Sequence, residues 1–125
     1  MSIVRLINNE WTKPQPVHED HWKIAGCPVN GPRISGIENN LAVAWFTAAS
    51  DSALVNISFS SDGGATFDKP VQVDEGGAIG RVDVVMLDMN RAMVSWMESS
   101  IIKARVVYKN GTMDEPIEVA NSSGA

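Results

Sequence analysis

The chain has 125 residues, 44% of them apolar and 20% charged, a globular composition with enough length for one ordinary domain and a sizeable core. Ten Lys and Arg against fifteen Asp and Glu leave a net charge of −5, an overall field that attracts neither nucleic acid nor an anionic membrane surface. The longest apolar run, Leu41 to Phe46, is far too short to span a bilayer, and the single cysteine, Cys27, excludes an internal disulfide or a multi-cysteine zinc site.

Short apolar bursts bounded by Gly, Asn, Asp and Pro run through the chain, which is the pattern of strands. The first candidate strand is Ile3–Ile7, followed by Asn8-Asn9, a turn pair because Asn tolerates positive φ. His18-Glu19-Asp20-His21 puts two imidazoles and two carboxylates in four residues. With no third partner identifiable it reads as a solvated polar connection, and neither a metal nor a cofactor is expected. Cys27, between Gly26 and Pro28 and without a thiolate-activating neighbour, reads as a small buried apolar residue. Leu41–Phe46 and Leu54–Phe59 are the next strands, with Glu38-Asn39-Asn40 where a hairpin turn belongs. Arg81–Leu87 and Ala92–Met97 flank a second turn position, Met89-Asn90. In Lys103–Tyr108, Ala104, Val106 and Tyr108 share one face, and Lys103 and Arg105 the other. No stretch offers a capped helical stripe, so the expected class is all-β. No basic-then-apolar signal segment follows Met1, and the compartment stays open.

An internal repeat organises these strands. Trp11 to Val17, Phe67 to Val73 and Met113 to Val119 superpose on Pro14, Pro70 and Pro116, each with a large apolar residue before the proline and a valine after it. The prolines are 56 and 46 residues apart, near the roughly 40–50 residues of a propeller blade. A second register agrees: Gly31-Pro32-Arg33 introduces the strands around Trp45, and Ile79-Gly80-Arg81 those around Trp96. The proline suits a short outer strand, which can spare one N–H. Each unit therefore reads as four antiparallel strands, a β-propeller blade. Residues 1–18 supply a hairpin of the two outer strands, 24–75 one full blade and 76–121 another, all within one partial domain. Two and a half blades do not close a ring of typically four to eight. The expected remainder is either further blades of a longer chain, on the order of 300 residues for six blades, or further copies of this one.

Ser60-Ser61-Asp62-Gly63-Gly64-Ala65-Thr66-Phe67 matches the pattern S-x-D-x-G-x-T-[W/F] at every defining position. It resembles the Asp-box of sialidase-like BNR-repeat propellers, and it falls between the third and fourth strands of its unit, as in that family. Asn110-Gly111-Thr112-Met113 keeps only its outline. The box itself is a fold-locking device. Asp62 can accept hydrogen bonds from its own turn, Gly64 permits a left-handed backbone, Ser60 and Thr66 can bridge strands, and Phe67 can bury its ring. The resemblance implies an exo-sialidase or related glycoside hydrolase in the parent protein, and an extracytoplasmic or secreted setting. It also implies arginines that pair bidentately with the carboxylate of a sialoside or other acidic glycan.

Arg33 and Arg81 are the candidates for that pairing, each at the start of an inner strand; the plainer alternative is a repeated structural ion pair or the capping of a blade junction. Asp83, a further substrate-binding candidate, follows Arg81 by two on the same face, and a mutual or inter-blade ion pair is the simpler account. Glu98, ending a strand beside Trp96, could serve as an acid or base, or simply be a solvated strand end. The family's nucleophile is a tyrosine, and the sole tyrosine, Tyr108, enters an outer hairpin, so this segment is expected to lack it. Trp45 and Trp96 are expected to fill the core, whereas Trp11 and Trp22 are open to packing or to stacking on sugar. Asn56-Ile57-Ser58, Asn110-Gly111-Thr112 and Asn121-Ser122-Ser123 are glycosylation sequons by pattern alone. Three functions remain open: a sialidase fragment inactive by itself, a non-catalytic glycan- or protein-binding propeller, and a lectin that completes its ring by oligomerising.

Overall fold

A computed structural model describes residues 1–25, 30–49 and 51–121. Cys27 and the serines of the last sequon lie outside the described residues. Among those described there is no helix, hence none long and apolar enough to cross a membrane. The described residues form four antiparallel sheets, none closed on itself.

The first strands are short: β1 (Ser2–Ile3) pairs with β4 (Gln15–Pro16), and β2 (Leu6–Ile7) with β3 (Glu10–Trp11). Together they make one interrupted hairpin about a left-handed Asn8-Asn9 turn, with φ of 50° and 65°. The single strand expected over Ile3–Ile7 is broken because the Thr12 hydroxyl, not a carbonyl, accepts from the Arg5 N–H at 2.9 Å. Pro14, which has no N–H to give, lies in the same gap.

The other two sheets are sequential four-stranded meanders. The first contains β5 (Arg33–Ile37), β6 (Asn40–Thr47), β7 (Leu54–Ser60) and β8 (Val71–Gln72). The second contains β9 (Ala78–Asp88), β10 (Arg91–Glu98), β11 (Ile101–Tyr108) and β12 (Ile117–Asn121). Pro70 and Pro116 each stand just before the edge strand that ends their sheet, where no ladder N–H is lost. The two turns differ from a simple asparagine rule. At β5–β6 the left-handed residue is Glu38, not Asn39. At β9–β10 no residue is left-handed; Asp88 instead accepts from the Asn90 N–H at 2.8 Å and from Arg91 Nε at 2.7 Å.

The core lies between the meanders. Ala42, Ala44, Ile57 and Phe59 of the first sheet meet Val84, Met86, Val94 and Trp96 of the second, all buried. Strand β6 is buried on both faces, since Val43 and Trp45 point the other way, Trp45 against His18 of the connection after the hairpin. That is why Leu41–Phe46 is a continuous apolar run. Strand β9 instead alternates buried and exposed residues along its length, because only one face of its sheet is covered. Side-chain links stitch the layers: the Met86 N–H donates to Ser35 Oγ at 2.8 Å, Arg5 Nε to the Gly63 carbonyl at 3.1 Å, and Lys109 Nζ to Ser61 Oγ at 2.8 Å and to Asn40 Oδ1.

On β11 the sharing of faces expected from the sequence holds, but the deeper face carries Arg105 and Val107. Arg105 Nη1 donates to the Val73 carbonyl and Nε to the Asp114 carbonyl, both at 2.9 Å, so its charge is carried inward by its donors.

Candidate functional site

Arg33 opens β5 on the face that also carries Ser35 and Ala44, the face turned to β9. Arg81 arrives differently. Met97 pairs with Gly80 and Ser95 with Asp83, so Arg81 and Val82 together oppose Trp96 in a β-bulge. Gly80 has φ of 109° and Arg81 of 56°, a left-handed non-glycine residue. Asn30 fastens the bulge from the loop before β5. Its Oδ1 accepts from the Arg81 N–H at 3.1 Å, and its Nδ2 donates to the Ile79 carbonyl at 3.2 Å. A Cβ on Gly80 would run into the Asn30 side chain, so only glycine fits both the space and the backbone there.

The bulge corrects one expectation. By ladder register Arg33 stands opposite Ala44, the residue before Trp45, and Asp83 stands opposite Ser95, the residue before Trp96. Asp83, not Arg81, is therefore the register equivalent of Arg33. Arg81 lies further toward the strand start. Even so, Arg33, Arg81 and Asp83 line one open depression of about 280 Å³, with Asn30 and Gly31 between them. Both arginines are exposed, and no carboxylate among the described residues lies within 4.0 Å of either guanidinium. The Arg81–Asp83 ion pair read from their spacing is not formed. The left-handed backbone re-aims Arg81 out of the regular pleat, and Asp83 Oδ1 accepts from the Val84 N–H at 2.9 Å.

Glu98 is not in that lining. Its carboxylate accepts from Trp96 Nε1 at 2.8 Å and from Lys103 Nζ at 2.7 Å, in a pair largely shielded from solvent. Burial pushes its pKa up, but the bonds from Lys103 and Trp96 and the lysine charge outweigh burial and hold it below the ordinary value. Glu98 is an ionised anchor for a buried indole.

The Ser60–Phe67 turn is a closed network. Asp62 Oδ1 accepts from Ser60 Oγ at 2.8 Å and from the Thr66 N–H at 2.9 Å, and Oδ2 accepts from Thr66 Oγ1 at 2.5 Å. Ser60 Oγ in turn accepts from the Gly64 N–H at 2.9 Å, with Gly64 left-handed at φ of 90°. The Thr66 hydroxyl and N–H, then the Ser60 hydroxyl, hold Asp62 down to about 2. Ser60 and Thr66 both converge on Asp62 rather than bridging the strands, and Phe67 is half-buried.

Beside the arginine depression lies a second cavity of about 400 Å³, lined by Trp22, Ile24, Trp45 and Phe46 and reaching Asn30 and Gly31. Trp22 meets Phe46 edge-on at 5.7 Å. Tyr108 lies elsewhere, at the end of β11, its hydroxyl 3.3 Å from both Asp114 carboxylate oxygens. No protein-family model, curated protein or solved structure matches the chain. Among the described residues no three His, Cys, Asp or Glu gather as a metal site; His18 packs on Trp45 instead. Of the sequon asparagines, Asn56 is half-buried within β7, whereas Asn110 is exposed in a turn. Asn30 and the cavity beside it went unread in the sequence, because an asparagine in a Pro- and Gly-rich stretch carries only a turn signal.

Proposed function

We propose that this chain is a segment of a sialidase-like Asp-box β-propeller, and that its arginine depression recognises the carboxylate of an acidic glycan. The observation that carries the reading is that Arg33 and Arg81, from the first strands of successive sheets, line one open depression with no carboxylate within 4.0 Å among the described residues. A guanidinium without a protein partner keeps its donor fork available to a ligand carboxylate. The blade reading draws support from two sequential meanders packed face to face and from the closed hydrogen-bond network about Asp62. The role proposed for this segment is binding, not bond cleavage. Glu98 is committed to Trp96 and Lys103, and Tyr108 to the Asp114 turn.

The test is an NMR titration of the whole chain with methyl α-sialoside, observing the arginine Nε–H signals. Shifts at Arg33 that are lost in Arg81→Ala, and shifts at Arg81 that are lost in Arg33→Ala, support the proposal. No shift at either arginine at tens of millimolar glycoside (the weakest binding of interest, about 2 kcal/mol) refutes it.

A further inference from the structure

We infer that the arginine depression is one half of a two-part site, whose other half is the aromatic cavity beside it. The ligand is then an acidic glycoside whose aglycone presents an apolar ring face. This rests on the carboxylate reading above and adds the chemistry of what the acid is attached to.

The two cavities meet at Asn30 and Gly31, which line both. A ligand seated by its carboxylate on Arg33 and Arg81 therefore has an apolar wall beside it, made by Trp22, Ile24, Trp45 and Phe46. That wall is built rather than incidental. Trp45 is backed by His18, ring centres 6.3 Å apart and 35° from parallel, while Trp22 stands edge-on to Phe46. The Trp22 backbone is set by its N–H donating to Asp20 Oδ1 at 3.2 Å. Ile24 is 46% exposed at the rim, so the wall is open to a ligand. A cavity of this size, mostly apolar with a few placed polar groups, suits a single ring. Asp20 also lines this cavity and can accept a hydrogen bond from an aglycone hydroxyl, while the apolar wall selects the ring face.

The experiment compares methyl α-sialoside with benzyl α-sialoside by NMR titration of the whole chain. The benzyl glycoside is expected to bind about tenfold tighter, because its ring leaves water for an aromatic wall. Trp22→Ala should erase that preference, whereas Arg33→Ala should weaken both. Ile24→Ser, at a position 46% exposed, should cut the preference by a smaller factor. Equal affinities in the unaltered chain, or a benzyl preference that survives both Trp22→Ala and Ile24→Ser, overturns the two-part site and leaves the carboxylate reading standing. Failure of both glycosides to bind overturns the carboxylate reading and this inference with it.

Discussion

Replacing Arg105 by Met keeps most of the side chain's length and removes its charge and donors. Distance alone ranks this residue low, since its only carboxylate neighbour among the described residues, Glu75, is 3.9 Å away and 60% exposed. The pair Arg91–Asp88, at 2.7 Å, looks stronger. Burial reverses the order. Arg105 is 8% exposed, and its substitution strips partners from the Val73 and Asp114 carbonyls, with Val73 itself fully buried. The buried Val73 acceptor left without a donor costs about 1–3 kcal/mol, whereas Asp114 is exposed and its carbonyl can turn to water. Relief from desolvating the guanidinium offsets part of that, and the exposed Glu75 contact adds little. The net expectation is a loss of about 1–3 kcal/mol, a large fraction of a small domain's stability. Urea unfolding followed by tryptophan fluorescence suits the assay, because Trp96 is buried beside the affected seam. The midpoint should fall by roughly 1–2 M with an unchanged slope. Arg91→Met is the control, and its midpoint should not move beyond the error of the measurement, because both partners are solvent-exposed. Equal effects from the two substitutions, or a loss below about 1 kcal/mol for Arg105→Met, would refute the argument from burial.

Gly80→Ala should cost about 1–3 kcal/mol in thermal or urea unfolding, since a Cβ meets Asn30 at a left-handed position; a neutral substitution would mean the Asn30 clamp is not rigid. Asp62 has a folded pKa near 2 against an ordinary 3.8, so the stability it adds is present above 3.8 and drains as pH falls through about 2. A carboxyl-carbon NMR titration of Asp62 with its midpoint near the ordinary value would contradict this. Glu98 is likewise held low, so its contribution is present above its ordinary value of 4.5 and lost on acidification. Glu98→Gln should flatten that acid limb and let the Lys103 pKa, now raised chiefly by the Glu98 hydrogen bond, fall back; an unchanged lysine titration would show that the pair does not form in solution.

The most legible features in the sequence were those that repeat with the strand period. Leu41–Phe46 and Lys103–Tyr108 fall within β6 and β11 because apolar burial and pleat alternation are local signals. What escaped was set by partners distant in the chain. Nothing near Arg105 says that its guanidinium will find the Val73 carbonyl across the seam. Nothing near Gly80 reveals a bulge until Asn30 is brought to it, and an alignment without the bulge equates Arg81 with Arg33 where the ladder equates Asp83. Turn chemistry was readable in kind but not in detail: positive φ was expected at asparagines, whereas Glu38 takes it in one hairpin and Asp88 replaces it by capping in the other. The candidate site suffered most, because it is assembled at a seam from a loop residue, a bulge and a strand start.

The location of that seam bears on the proposed function. Each buried tryptophan points to the layer before its own sheet: Trp45 toward His18 of the preceding connection, Trp96 into the core shared with the first meander. The layers thus stack in one direction, and the second meander offers onward the face opposite Trp96. Its rows run Val85–Met93–Val106 and, one step nearer the strand start, Asp83–Ser95–Ala104. Along β9 this face places Val85, 50% exposed, and Leu87, 39% exposed, beyond Asp83, with Arg81 turned aside by the bulge. A further sheet packing on the apolar stretch, as the second meander packs on Ala42 and Ala44, would leave the charged end open beside the arginine depression. Under the propeller reading, each added layer brings its first strand to that same end of the stack. The depression at Arg33 and Arg81 is then one of several seams opening toward one axis, where a carboxylate could be met by groups from more sheets than two.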